Sequence, residues 1–247
     1  MRLILLIILI NHPVTSQIVN VESKRMRTDT TGWSGSAELN FQFIKVEDAV
    51  YDFGSKIHFQ YKQTRSLWLF LNEFRLIKAE GRDFVNSGFA HLRYNYKVIK
   101  FLRWEVFVQL QYNDALNVGL RGLTGTGPRF KFYHSDYFRI YAGTLYMFEY
   151  IHNNNRTIFE RNHRNSGYNY ISFTIDINKV DFTSTAYYQP KLTDFKDYLL
   201  YSQSKLTFEI TDRLDFVTEF LIRYDSNPFP DIPKKSYNLN NGLLFSF

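Results

Sequence analysis

Between positions 102 and 113 the chain alternates without a break between two chemistries. Leu102, Trp104, Val106, Val108, Leu110 and Tyr112 are apolar or aromatic, while the interleaved Arg103, Glu105, Gln109, Gln111 and Asn113 are polar, with Phe107 the one exception. Neighbouring side chains of an extended chain point to opposite faces, so a period of two predicts a strand with one greasy and one wet side. A helix would smear both chemistries around its axis.

The same split recurs along most of the chain. Apolar faces are formed by Trp33, Ala37, Leu39, Phe41 and Phe43; by Phe53, Ile57, Phe59 and Tyr61; and by Leu92, Tyr94, Tyr96 and Val98. They continue through Phe130 and Phe132, Phe138, Ile140, Tyr146 and Phe148, Ile171, Phe173, Ile175 and Ile177, and Phe182, Ala186 and Tyr188. The last are Leu206, Phe208 and Ile210, then Phe216, Phe220, Ile222 and Tyr224, then Tyr237, Leu239, Leu243, Phe245 and Phe247. No Lys, Arg, Asp or Glu falls on these faces. Only 66–78 is ambiguous, because positions 67–71 are apolar on both sides. About twelve strands result, an even number as single-chain bacterial barrels have.

A soluble β-sandwich also alternates. The apolar material here is largely aromatic, 24 Phe and 18 Tyr against 22% charged residues. Aromatic residues near strand ends fit the interfacial girdles of a membrane barrel, and the strands are longer than those of a usual sandwich. Positions 1–16 read as a leader: Arg2, an apolar run to Ile10, then small residues before a cut at Gln17. That run is too short to span a bilayer, and no later stretch reaches the roughly 20 apolar residues of a spanning helix. We therefore expect a signal peptide over 1–16, a periplasmic segment over 17–30 and an all-β, antiparallel transmembrane barrel over 31–247. The chain has no cysteine, which excludes disulfides, thiolate metal sites and a cysteine nucleophile. A net charge of +6 without a compact basic run, on an exported chain, argues against nucleic acid as a partner.

Links between strands give an independent reading of topology. Those near 62–65, 98–100, 133–136, 178–179 and 211–213 are tight, whereas those near 151–164 and 226–235 are long. Outer loops of such barrels are the longer set, so both termini are expected in the periplasm and the long links outside. The alternating C-terminal strand ending in Phe247 fits a signal read by the outer-membrane assembly machinery, with outer-membrane lipid and a larger envelope complex as the other partners expected.

The segments at 93–97 (RYNYK), 103–113 (RWEVFVQLQYN), 121–130 (RGLTGTGPRF) and 187–190 (YYQP) resemble the YdiY-like family of salt-induced outer membrane proteins. The resemblance implies the barrel fold and the outer-membrane location, and it transfers no catalytic residue.

The polar faces carry the candidate site. Basic residues there are Lys56, Lys62, Arg75, Arg93, Lys97, Arg103, Arg121, Arg129, Lys131, Arg139, Lys205 and Arg223; acidic ones are Glu38, Glu73, Glu105, Glu149, Asp176, Asp181, Glu209, Asp215, Glu219 and Asp225. Most of the bases precede Phe132 and most of the acids follow it, so charge pairing across the lumen is expected, with Arg93, Arg103, Arg129 and Lys131 meeting Glu149, Glu209 or Glu219. Gly125, Gly127 and Gly143, with Gly119, are expected to leave lumen recesses for a Tyr or Arg. The glycine-rich stretch lacks the Lys-Ser/Thr ending of a phosphate loop. A hydrolase would need a Ser beside a His; Ser55, Ser184, Ser202 and Ser204 lie on apolar faces, while His58 and His91 have lumen parity, His134 lies in a turn, and His152 and His163 fall in a loop. No catalytic, cofactor or metal site is therefore expected. The expected role is that of a small barrel, either a narrow passive channel or a self-plugged structural subunit; a hydrolase is the alternative.

Overall fold

The computed structural model describes residues 20–21, 31–45, 49–79, 82–114, 118–153, 161–211, 214–228 and 233–245. Twelve strands follow in chain order: β1 (Gly32–Lys45), β2 (Ala49–Lys62), β3 (Ser66–Ala79), β4 (Arg82–Lys97), β5 (Leu102–Asn113) and β6 (Val118–His134). The second half holds β7 (Phe138–Asn153), β8 (Arg161–Ile177), β9 (Val180–Lys191), β10 (Asp194–Thr211), β11 (Leu214–Asp225) and β12 (Lys235–Phe245). They form one antiparallel meander in the order β1 to β12. Among the described residues no ladder joins β12 to β1, and β1 is exposed on both faces along most of its length.

The strands hold 11 to 18 residues. A tilted strand needs about 9–11 residues to cross a bilayer, so several project beyond one. Those projections explain one correction to the sequence reading. The β7–β8 ladder continues to His152↔Arg161, which places His152 and His163 in strands and narrows the link to 154–160. Outside the apolar zone a strand needs no greasy face, so the ladder runs on where the alternation fades. The link after β9 likewise shrinks to 192–193, and the register shift between Asp194 and Tyr198 absorbs the irregular sequence there. At 178–179 the chain turns in two residues, with Asn178 at a φ of 50°, the left-handed conformation that such hairpins favour.

The parity of β5 is as expected. Trp104, Val106, Val108 and Leu110 are 42–59% exposed, whereas Glu105, Phe107, Gln109 and Gln111 are 0–7% exposed. The ambiguous β3 is settled by register: Leu69 pairs with Gln60 on one side and Arg93 on the other, so Leu67, Leu69 and Leu71 face inward. Trp68, 44% exposed, faces out. Two aromatic rows mark the outer surface. Near one end run Trp33 beside Tyr61 and Trp68 beside Tyr94; near the other run Tyr188, Tyr198 and Tyr224, with ring centroids 5.8 Å apart. On β5, Trp104 and Tyr112 stand eight residues apart, roughly 27 Å of strand, which after tilt suits an apolar band of about 25 Å.

This geometry predicts an asymmetric response to charge. Val108→Arg, near mid-band and facing out, is expected to cost about 2–4 kcal/mol. Gln42→Arg, on the exposed inner face of β1 opposite Asp52, is expected to cost little. Urea titration of refolded protein in vesicles measures both, and equal costs would contradict the assignment of faces.

Candidate functional site in the barrel interior

The sheet curls so that inward side chains of distant strands touch. At the centre lies Glu105 of β5, fully buried. Its Oε2 accepts from Arg93 Nη1 of β4 at 3.0 Å and from the Tyr170 hydroxyl of β8, also at 3.0 Å. Its Oε1 lies 3.6 Å from Arg129 Nε of β6. Arg93 in turn sits over the Phe107 ring at 4.9 Å, and Arg129 over the Tyr141 ring at 3.8 Å. A buried carboxylate is tolerable only with such partners, because stripping its water is costly.

The network extends away from Glu105. Arg93 Nε lies 3.3 Å from His91 Nε2, and an arginine only donates, so that nitrogen is the acceptor. His91 Nδ1 is then the protonated nitrogen, donating to Gln109 Oε1 at 2.8 Å, and Gln109 Nε2 donates to Gln111 Oε1. Beside this polar chain stands an apolar one. Phe107, Leu123, Leu145, Met147, Tyr168, Tyr170, Tyr187, Leu199 and Tyr201 form a single buried cluster drawn from β5 to β10. Phe107 and Tyr168 meet across the lumen with ring centroids 5.3 Å apart.

The glycine recesses are present. A β-carbon at Gly143 would overlap the Tyr170 ring, and one at Gly125 would overlap the Phe107 ring. At Gly127 it would strike the backbone of Thr144 and Leu145. Gly119 lies instead at a register shift, where Val118 is the buried neighbour. Missing side chains on β6 and β7 thus let rings from β5 and β8 reach the axis.

The expected charge pairing needs correction. Arg93 and Arg129 pair with Glu105, Arg121 with Glu149 at 2.5 Å, Arg139 with Asp176 at 3.4 Å and Arg223 with Asp225 at 2.7 Å, each within a strand or between adjacent strands, and Arg164 of β8 reaches one strand further, to Asp197 of β10. Arg121–Glu149 links the basic first half to the acidic second, and it does so between neighbours β6 and β7. Coulomb attraction falls with distance, and adjacent strands put a partner within reach of one side chain. Glu219 is half-buried and accepts from Gln203 of β10, and Glu209 is half-buried. Lys97, Arg103 and Lys131 gather at one mouth, where Arg103 pairs in register with both Lys97 and Arg129.

Sequence reasoning missed Arg164 and Asp197. Arg164 Nη1 lies 3.0 Å from Asp197, and its Nη2 donates to the carbonyls of Gln189 and Asp197, tying β8 to β9 and β10. Arg164 continues the inward series Ser166, Tyr168 and Tyr170, and extending that parity backward would have found it. On the outer surface Ser184 and Ser204 bond to each other at 2.8 Å. His163, outside the barrel, stacks with Phe148 at 5.7 Å. Among the described residues no group of His, Asp and Glu could hold a metal ion. Residues 1–16, expected as the leader, and Phe247 lie outside the described residues.

A meander of twelve strands with a greasy outside and a charged, packed inside defines a porin-like β-barrel. The chain belongs to the family described as "Protein of unknown function, DUF481", whose model matches residues 28–247. Its fold is similar to that of the NanC porin solved in a rhombohedral crystal form, at 10% identity and a TM-score of 0.50, covering 80% of this chain and 94% of the porin. A structure titled "Bacterial polysaccharide outer membrane secretin" aligns at 9% identity with a TM-score of 0.47, over 87% of this chain and 86% of that one. No curated protein matches in sequence.

Proposed function

We propose that this chain is an outer-membrane barrel closed at rest, a self-plugged component of the envelope. The Tyr170 to Glu105 hydrogen bond carries the reading, because it joins β5 to β8, three strands apart, through the interior over β6 and β7. Side chains lining a conducting pore must touch water, whereas Leu69, Arg93, Glu105, Met147 and Thr185 are at most 1% exposed. The outward apolar band, the leader-like start and the porin-like fold support the membrane location. Both termini are read as periplasmic and the chain as non-enzymatic, with membrane lipid, the assembly machinery acting on the last strand, and a larger envelope complex as partners. Within the family, the YdiY-like label stays our own narrower reading.

One observation favours a second reading. Glu38 and Lys56 pair at 3.3 Å with side chains 60% and 61% exposed, so the interior beside β1 and β2 is wet. A narrow passive channel would run along that wall. Planar-bilayer recording separates the two. The closed barrel is expected to give no steady current, and Tyr170→Ala with Phe107→Ala is expected to create one. Steady ohmic channels from the unaltered protein would establish the passive-channel reading instead.

A further inference from the structure

Two residues that precede β1 lie inside the barrel. Asn20 and Val21 are 2% and 0% exposed. They belong to the segment over 17–30 expected as periplasmic. Val21 packs in an apolar cluster with Leu69 and Leu71 of β3 and Phe89 of β4. Asn20 Oδ1 accepts from the Tyr187 hydroxyl of β9 at 2.9 Å. The dipeptide thus bridges opposite walls: a small branched side chain fills an apolar nest on one, and an amide caps a buried hydroxyl on the other.

The distribution of side chains explains why a backbone is needed there. Between β5 and β8 the lumen is closed by side chains that meet directly, as Glu105 meets Tyr170 and Phe107 meets Tyr168. Opposite β3 and β4, the closing groups are Asn20 and Val21 themselves. Leu69, Leu71 and Phe89 are apolar residues on an otherwise polar inner face, where an empty lumen would wet them.

We propose that Asn20 and Val21 act as an intramolecular plug, and that Leu69, Leu71, Phe89 and Tyr187 form a lumen site for a short peptide bearing an amide followed by a branched apolar side chain. This deepens the closed-barrel reading and rests on it. A short peptide seated by an amide contact and a small apolar nest is weakly retained on its own, and tethering supplies the effective concentration that keeps it seated.

Three measurements on the full chain and its variants test the plug. Deleting residues 18–30 is expected to raise bilayer conductance at least tenfold, and a synthetic peptide of residues 17–27 is expected to restore closure. Val21→Asp, which sets a carboxylate in the nest, is expected to open the barrel as the deletion does, whereas Val21→Ile keeps it closed. The chain has no native cysteine, so Val21→Cys with Leu71→Cys should cross-link in the folded barrel and shift its gel mobility, while Val21→Cys with Leu221→Cys should not. This pair is informative even if the deletion fails to fold. An absent cross-link, or a folded deletion variant with unchanged conductance, overturns the plug. Steady current from the unaltered protein together with a positive cross-link would overturn the closed barrel and leave the peptide site standing.

Discussion

Glu105→Ala is expected to destabilise the barrel by about 3–5 kcal/mol, the loss seen when one member of a buried ion pair is removed. Arg93 is 1% exposed and Arg129 4%, so neither guanidinium can recover water when the carboxylate is gone. Tyr170 loses its acceptor as well. Replacing Arg93 by Met in the Glu105→Ala background should recover a large part of the loss, since the thioether fills space without stranding a charge beside Phe107. Urea midpoints from the folded and unfolded gel bands measure both effects. Purely additive losses would mean that Arg93 and Glu105 are hydrated independently, and the packed interior described above would be wrong.

Tyr170→Ala is the second large loss, on the order of 3–5 kcal/mol, as expected for removing a buried aromatic ring. Its diagnostic partner is Gly143→Ala. Alone, that added methyl collides with the Tyr170 ring and should cost about 1–3 kcal/mol as overpacking. With the ring already gone, the same methyl should be harmless or slightly favourable. If Gly143→Ala costs as much without the ring as with it, the glycine serves the backbone of β7 and the recess has no role.

Which parts of this were legible in the sequence follows from what each signal depends on. Parity is local: Trp104 through Tyr112 advertise an outward face because lipid imposes the same demand at every second position. The glycine recesses were legible too, because Gly125, Gly127 and Gly143 leave space on a face whose parity was already known. The β3 face was not, since Leu67 to Leu71 meet lipid on one side and a dry interior on the other, and both accept leucine. Dividing the inward charges into a basic first half and an acidic second led to the expectation of cross-lumen ion pairs. The inward Phe107 looked like an exception on the polar face of its strand, yet with Met147, Tyr168 and Tyr187 it belongs to the cluster that fills the centre. Their partners lie far away in the sequence, and no periodicity encodes such distances. The burial of Asn20 and Val21 was illegible for the same reason, because a two-residue insertion into a distant cavity leaves no pattern behind.

Every described ladder joins strands adjacent in the sequence, so hairpins can add one after another with short loops to close and little entropy to lose at each step. Glu105 and Tyr170, 65 positions apart, and Asn20 and Tyr187, 167 apart, can meet only after enough strands have been laid down to bend the sheet round. These contacts therefore form late, and they report on how the sheet bends round: a sheet that is one strand short between them, or slipped by a register step, brings a different side chain to Glu105 and takes the Tyr170 hydroxyl away from it. The interior thereby penalises miscounted barrels, a check on assembly that the ladders, identical in kind at every seam, have no means to perform.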